Sequence, residues 1–206
     1  MQSAVLAPTA TGTPGEHDYA VTGIDSRKLG MWAFLASECL FFGALISSYL
    51  LYRTRGPEGQ RPHDVYDIPY TSVSSFVLLM SSLTMVLALA AIQRGDHQRL
   101  RIWLLATALL GTVFIGGQVY EFTVFTEKGL NLSSSVAATS FFVLTGFHGM
   151  HVTVGILWLL SLVGMSLRGQ VPVERSLDVE IAGLYWHFVD IVWIVIFTIV
   201  YLVPAN

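Results

Sequence analysis

Six ionisable side chains lie inside otherwise apolar stretches of this sequence: Glu38, Glu121, His148, His151, His187 and Asp190. An ionisable residue inside a membrane is energetically costly, so such residues usually serve a function or pair with one another. His148 and His151 are spaced three residues apart, and so are His187 and Asp190. Because residues three apart share one helix face, each pair predicts a polar stripe that points in a single direction, into the protein.

These residue types are compatible with three kinds of site. Histidines and carboxylates on facing helices can bind metal ions or haem. They can take part in proton transfer or contact lipid, or they can form hydrogen bonds between neighbouring helices. The spacing favours helix-to-helix bonding over metal, because a di-iron bundle needs about four carboxylates with paired Glu-x-x-His motifs. The sequence contains no such motif.

Two other functions stay open on the residues alone. A membrane metalloenzyme could use His148, His151 and His187 as ligands, and a small transporter could bind a proton or an ion at Glu38 and Asp190. Transporters often have duplicated halves and broken helices. No internal repeat is visible in this sequence, which argues against the transporter.

The composition indicates an integral membrane protein. Charged residues make up 12% of the 206-residue chain, against about 25% in soluble domains, and the mean hydropathy is +0.62. These values exclude a disordered chain, a soluble enzyme domain and a basic nucleic-acid binder. The single cysteine, Cys39, excludes an intrachain disulfide framework and a Cys-rich zinc or iron–sulfur site.

Five apolar stretches are long enough to cross a membrane, since a span needs about 18 residues with few charges. They cover residues 29–52, 73–92, 102–125, 136–167 and 181–203. Their only Asp, Glu, Lys or Arg residues are Glu38, Glu121 and Asp190. Continuous apolar runs of this length are unlike the alternating segments of barrel strands. We therefore predict an all-α membrane protein, a bundle of five transmembrane helices (29–203) that follows an extended tail (1–28).

The distribution of Lys and Arg predicts the orientation of the bundle. Seven of these residues flank the spans on the side of the amino terminus and four on the opposite side, which favours a cytoplasmic amino terminus and an external carboxyl terminus. At 1.5 Å per residue, Glu38, His151 and Asp190 then lie near the middle of the membrane, where we predict that they form a cluster. Glu121 is expected near the outer surface.

Small and aromatic residues in the spans complete the prediction of packing. Glycines allow close approach of membrane helices. Seven glycines inside the spans are expected to have this role: Gly43, Gly111, Gly116, Gly117, Gly146, Gly149 and Gly155. Aromatic residues near span ends are typical of anchors at the membrane surface. Six residues fit that description: Trp32, Tyr49, Tyr52, Trp103, Tyr120 and Tyr201.

Three segments together resemble the heme-copper oxidase subunit III family, which occurs in cytochrome c oxidases and bacterial quinol oxidases. The segments are TGFHGMHVTVGILWL (145–159), GLYWHFVDIVWIVIFTIVYL (183–202) and MWAFLASECLFFGALISSYL (31–50). They are similar to the family patterns T-G-F-H-G-x-H-V, Y-W-H-F-V-D-x-V-W and S-E-x-x-F-F. GQVYEF (117–122) also resembles a family segment, and the similarity extends over residues 29–203.

The resemblance implies an accessory role. In that family subunit III binds no haem or copper, which lie in partner subunits I and II. It packs against subunit I, holds phospholipids and supports proton uptake. The buried family glutamate corresponds to Glu38, the histidines to His148, His151 and His187, and the aspartate of the last helix to Asp190. We therefore expect no catalytic and no metal-binding residue in this chain.

The number of helices departs from many family members, which have seven. With five, and with the glutamate motif already in the first span, the chain resembles the short bacterial form. The resemblance therefore implies a multi-pass protein of the bacterial cell membrane, a subunit of a proton-pumping terminal oxidase. Lipid contacts made by the two absent helices cannot be transferred to this chain.

Overall fold

The computed structural model describes residues 25–55 and 67–203. Its elements are α1 (Ser26–Tyr52), α2 (Ile68–Gln93), α3 (His97–Glu127), α4 (Val136–Leu167), a 3₁₀ turn (Val173–Arg175), α5 (Ser176–Phe197) and a π-helical turn (Thr198–Leu202). Five helices are long and apolar enough to cross a membrane, which confirms the prediction of a five-helix membrane protein. Residues 1–24, most of the predicted tail, lie outside the described residues.

Polar caps extend several helices beyond the apolar runs that predict them. The side chains of Asp67, Asp96 and Ser135 each accept a hydrogen bond from a backbone N–H in the first turn of α2, α3 and α4, which satisfies a donor that the helix itself leaves free. For this reason α2 and α3 begin about one turn before their predicted spans. The observed bounds of α4 equal the predicted ones, residues 136–167.

The five helices form one bundle in which α5 is central. α5 packs on α1, α2 and α4, while α3 packs on α2 and α4, and α1 packs on α4 and α5. α5 also has the largest buried share of the five spans, 56% of its most apolar window, against 11% for α1. The helix with the His187/Asp190 pair is therefore surrounded by protein, and the helix with Glu38 lies at the edge.

Two glycines make room for the largest side chain in the core. Trp186 of α5 is 1% exposed and lies between α3 and α4. A Cβ on Gly111 would be 2.6 Å from the Trp186 ring, and one on Gly155 would be 2.8 Å from it. The prediction that glycines permit close helix contact is thus confirmed at these two positions. At Gly146 an added Cβ would meet no atom within 4 Å.

α1 is attached to the bundle by a narrow apolar strip and by ionic contacts. Its three buried residues, Leu35, Phe42 and Tyr49, are spaced seven apart and so share one face of the helix. At its amino-terminal end Arg27 forms an ion pair with Asp178 of α5, N to O 2.8 Å. Lys28 forms a second ion pair, with Glu180. The remaining faces of α1 are mostly exposed.

Candidate functional site

A carboxyl–imidazole pair joins α1 to α4. Glu38 Oε2 lies 3.3 Å from His151 Nε2, and the two side chains are 17% and 12% exposed. The other ring nitrogen of His151, Nδ1, lies 2.8 Å from the backbone carbonyl oxygen of Phe147. The rings of Phe41 and Phe42 flank the imidazole, with centroids 6.3 and 5.0 Å away. Two members of the predicted three-residue cluster are therefore in contact.

The hydrogen bonds restrict the protonation of this pair. A carbonyl oxygen only accepts, so His151 Nδ1 carries the proton of its bond to Phe147. Nε2 then either accepts a proton from a neutral Glu38 or, when it is protonated, donates to a charged Glu38. In both cases one proton is shared between Nε2 and Oε2, and the pair as a whole is neutral. A proton can therefore pass between Nε2 and Oε2 without a change in the net charge of the pair.

Asp190, the third member of the predicted cluster, faces a different helix. Ser82 Oγ of α2 lies 2.6 Å from Nδ1 of His187, which is one turn before Asp190 on α5. Ser82 also lies close to the Asp190 carboxyl group. Asp190 is 3% exposed, and neither of its oxygens has a hydrogen bond of good geometry to another described residue. The pair on α5 thus contacts α2, whereas Glu38 and His151 join α1 and α4.

His148 is fully buried among aromatic rings. Its imidazole stacks on Trp193 with a centroid distance of 4.9 Å and meets the edges of Phe114 and Phe42 at 5.9 and 6.5 Å. It is 0% exposed, and neither ring nitrogen has a hydrogen-bond partner in the described part of the chain. In this structure His148 is a packing residue of the core.

Glu121 belongs to a buried network at the opposite end of the bundle from the α2–α3 turn. It is 6% exposed and accepts hydrogen bonds from Thr71 Oγ1 of α2 at 2.7 Å and from the Tyr201 hydroxyl at 3.2 Å. Tyr201 lies in the π-helical turn and is also 6% exposed. The prediction that Tyr49 and Tyr201 anchor the membrane surface is wrong, because both side chains are buried in the bundle.

Two tryptophan–serine bonds between α5 and α2 are not apparent from the sequence. Trp186 Nε1 donates to Ser81 Oγ, and Trp193 Nε1 donates to Ser75 Oγ, each at 2.9 Å. The serines are buried. The signal available was the spacing of seven between the tryptophans, which places both on one side of α5. These two bonds fix the position of α5, which bears His187, against α2.

An apolar groove opens beside the Glu38–His151 pair. It has a volume of about 240 Å³ and is lined by one residue of α1, four of α4 and one of α5: Phe34, Met150, His151, Val154, Trp158 and Tyr185. The Tyr185 hydroxyl donates to the backbone carbonyl of His151 at 2.9 Å. The wall of the groove is therefore almost wholly apolar, and its polar lining residues are His151 and Tyr185.

The histidines do not converge on a common point. His151 is bonded to Glu38 of α1, His187 to Ser82 of α2, and His148 stacks on an indole. Within residues 25–55 and 67–203 there is no group of three or more His, Cys, Asp or Glu side chains that could hold a metal ion. The geometry of these side chains supports contacts between helices and exchange of a proton, and it gives the metalloenzyme hypothesis no ligand set.

Comparison with known sequences identifies the family. The family described as cytochrome c oxidase subunit III matches residues 8–204. The chain belongs to this family. Over 177 residues it is 35% identical to the cytochrome c oxidase subunit 3 of Bacillus sp. (strain PS3), with 86% of each chain covered. Over 175 residues it is 39% identical to the quinol oxidase subunit 3 of Bacillus subtilis, covering 84% of this chain and 85% of the relative. Over 194 residues it is 39% identical to the cytochrome c oxidase subunit 3 of Thermostichus vulcanus, covering 93% and 94%.

Membership of the subunit III family confirms the resemblance inferred from the three sequence segments. This subunit III chain is a component of a terminal respiratory oxidase, and the metalloenzyme and transporter hypotheses are not favoured. The relatives are bacterial and include subunits of both cytochrome c and quinol oxidases. The family assignment implies that this chain is part of a multi-subunit oxidase complex.

Proposed function

We propose that this chain is a non-catalytic subunit that packs on oxidase subunit I, holds phospholipids and supports proton uptake by that subunit. The observation that carries the proposal is the Glu38–His151 pair beside the apolar groove. A proton can pass between Nε2 and Oε2 within the pair without a change in the net charge of the pair, and His151 lines a groove suited to an acyl chain. Haem and copper belong to the partner subunits, mainly I and II, in this proposal.

The groove supports the lipid-holding role by its shape and its chemistry. Its wall is formed by aromatic and branched or unbranched aliphatic side chains, with Phe34 on α1 opposite Trp158 on α4. An acyl chain makes the dispersion contacts that such a wall offers. We propose that a structural phospholipid occupies this groove.

The exposed faces of α1 support the proposed partner contacts. Leu40 and Leu51 of α1 are 78% and 58% exposed, and these surfaces must meet lipid or another subunit in the membrane. The distribution of Lys and Arg supports a cytoplasmic amino terminus in the bacterial cell membrane. In that orientation the ion pairs of Arg27 and Lys28 lie on the cytoplasmic side.

The experiment compares the oxidase complex carrying Glu38→Ala, Glu38→Gln or Ser37→Ala. Ser37 is an exposed neighbour on α1 whose hydroxyl donates to the carbonyl of Phe34 in its own helix, so it is the matched control. Haem content, initial rate of oxygen reduction, phospholipid phosphorus per complex and the number of turnovers before inactivation are measured. We expect Glu38→Ala to keep haem content and initial rate while it lowers lipid retention and the number of turnovers. Glu38→Gln retains the bond to His151 and should lie closer to wild type.

Two results would contradict the proposal. Loss of haem from an otherwise assembled Glu38→Ala complex would mean that this chain takes part in the redox centre. Stoichiometric iron, copper or zinc in the purified chain would mean that it holds a metal of its own.

A further inference from the structure

A second groove lies between α2 and α3, at the end of the bundle that carries their connecting turn. It is the larger of the two grooves, with a volume of about 470 Å³. Its floor is apolar, formed by Leu87 and Ala90 of α2 and by Ile102 and Trp103 of α3. Ala90 is the smallest of these four side chains. Arg94 and Arg99 also line the groove, at the end where α2 and α3 connect.

The turn that carries the arginines is short and well defined by backbone bonds. Only Arg94, Gly95 and Asp96 connect α2 to α3. Gly95 has φ +73°, a conformation that favours glycine. Gly95 N donates to Ile92 O at 2.9 Å, and Asp96 N donates to Ala91 O at 3.0 Å. The backbone between Arg94 and Arg99, two lining residues of the groove, is therefore fixed by these hydrogen bonds.

The arginines retain free donors. Asp96 caps α3 through the Arg99 backbone N–H at 2.9 Å and also contacts Arg99 Nε at 3.1 Å. This leaves the two terminal amino groups of Arg99 without a partner among the described residues, and the Arg99 side chain is 69% exposed. The Arg94 side chain likewise has no partner in the described ranges. This end of the groove carries two positive charges and one negative charge, so it is complementary to a single phosphate.

We propose that this groove binds one anionic phospholipid, with the phosphate between Arg94 and Arg99 and an acyl chain along Ala90 and Ile102. Guanidinium groups recognise phosphate oxygens by paired N–H bonds. Trp103 lies four residues after Arg99, one helical turn deeper, where its ring contacts the glycerol region. The proposal rests on the lipid-holding role proposed above, but it concerns a separate groove whose occupancy is measured on its own.

The apolar floor is the reason to choose a lipid over free phosphate or an acidic polypeptide. A site for phosphate alone needs the two arginines and has no use for a groove of about 470 Å³ below them. An acidic peptide would leave the same apolar floor uncovered. A phospholipid satisfies both parts, because its charge and its chains are joined in one molecule. Near a membrane surface each Lys or Arg adds about 1 kcal/mol to the attraction for anionic lipid.

The test uses the full-length chain in phosphatidylcholine nanodiscs that contain trace phosphatidylglycerol, with bound lipid counted by native mass spectrometry. We expect one tightly bound phosphatidylglycerol per chain. The double change Arg94→Gln, Arg99→Gln should weaken it about 30-fold, the factor for two contributions of about 1 kcal/mol. The matched control, Arg168→Gln with Arg175→Gln, removes the same charge from two residues that do not line the groove, and it should have no effect.

A second variant distinguishes lipid bound in the groove from a general attraction of anionic lipid to the two arginines. Ala90→Leu fills the groove and keeps both arginines, so it should abolish the bound lipid. The control is Ala44→Leu, on an exposed face of α1, which should leave the bound lipid in place. Inorganic phosphate should fail to compete.

Several results would overturn the proposal. They are equal binding of phosphatidylcholine, equal loss in the Arg168/Arg175 control, retention of the lipid in Ala90→Leu, and displacement by phosphate. Loss of a co-purifying acidic polypeptide in the double variant, with lipid unchanged, would instead make the groove a protein interface. Co-purification of oxidase subunits is scored separately, so failure of this site is distinct from failure of the proposed function.

Discussion

The contact between Gly155 and Trp186 predicts opposite effects of the same substitution at two positions of α4. A Cβ at Gly155 would lie 2.8 Å from the Trp186 ring, whereas a Cβ at Gly146 would meet nothing within 4 Å. The indole cannot move away readily, because its N–H is bonded to Ser81 and its opposite edge lies close to the backbone of Gly111. Gly155→Ala should therefore strain the core, and Gly146→Ala should not.

The magnitudes follow from two opposing contributions. Alanine stabilises a helix interior by about 0.5–1 kcal/mol relative to glycine, and both variants gain this amount. Overpacking of a well-packed core costs about 1–3 kcal/mol, which applies only at Gly155. We expect Gly146→Ala to raise the free energy of unfolding by about 0.5–1 kcal/mol and Gly155→Ala to lower it. The difference between the two variants, about 1–3 kcal/mol, measures the steric contribution alone.

The assay is reversible unfolding of the purified chain by sodium dodecyl sulfate in mixed micelles, followed by far-ultraviolet circular dichroism. Trp186→Phe removes the part of the ring that an alanine at 155 would meet. Combined with Gly155→Ala, it should restore part of the loss, with a coupling of about 0.5–3 kcal/mol. Equal stabilities of Gly155→Ala and Gly146→Ala, or strict additivity with Trp186→Phe, would refute this account of the core.

Three further predictions use the same unfolding assay. Glu121→Ala removes the acceptor of two buried hydrogen bonds and should lower the free energy of unfolding by about 1–2 kcal/mol. Glu121→Gln can still accept from Tyr201 and should cost less than half of that. Equal losses in the two variants would contradict the network. Lys28→Glu should destabilise the chain by up to about 1 kcal/mol, and by less at high salt. Adding Glu180→Lys to this variant should recover most of the lost stability. If it recovers none, the ion pair contributes nothing to stability. His148→Phe retains an aromatic ring and removes two unpartnered nitrogens, so stability should be unchanged or higher; a clear loss would mean that the imidazole is bonded to internal water.

The number of spans could be predicted from the sequence because it depends on composition alone. A membrane helix needs a long run without charges, and each of the five runs satisfies this condition. The ends of the helices were predicted less well. α5 begins at Ser176, five residues before its apolar run, since polar residues continue a helix once it has left the apolar region. The π-helical turn at Thr198–Leu202 has no counterpart in hydropathy, and it carries Tyr201 to Glu121.

The partners of the polar residues could not be predicted from spacing. A spacing of three indicates that His187 and Asp190 share a face, but not which helix that face meets. The answer, α2, depends on Ser82, and an uncharged serine gives no signal in a charge or hydropathy profile. For the same reason the sequence does not indicate that Ser81 and Ser75 accept hydrogen bonds from Trp186 and Trp193. The sequence thus predicts which helices are polar on one side, and the structure supplies the order of those helices in the bundle.

The position of α1 gives a structural reason for the proposed effect of Glu38 on lipid retention. Apolar burial gives little force between helices in lipid, so packing and polar bonds must hold a helix in place. α1 buries a single narrow strip, and polar contacts hold it at three depths: Lys28 to Glu180, Glu38 to His151, and Arg53 Nη1 to the carbonyl of Val203 at 3.3 Å. The middle contact is the one nearest the groove that α1 shares with α4. We therefore expect removal of this contact to loosen α1 beside the groove, which is the structural reason for the lower lipid retention predicted for Glu38→Ala.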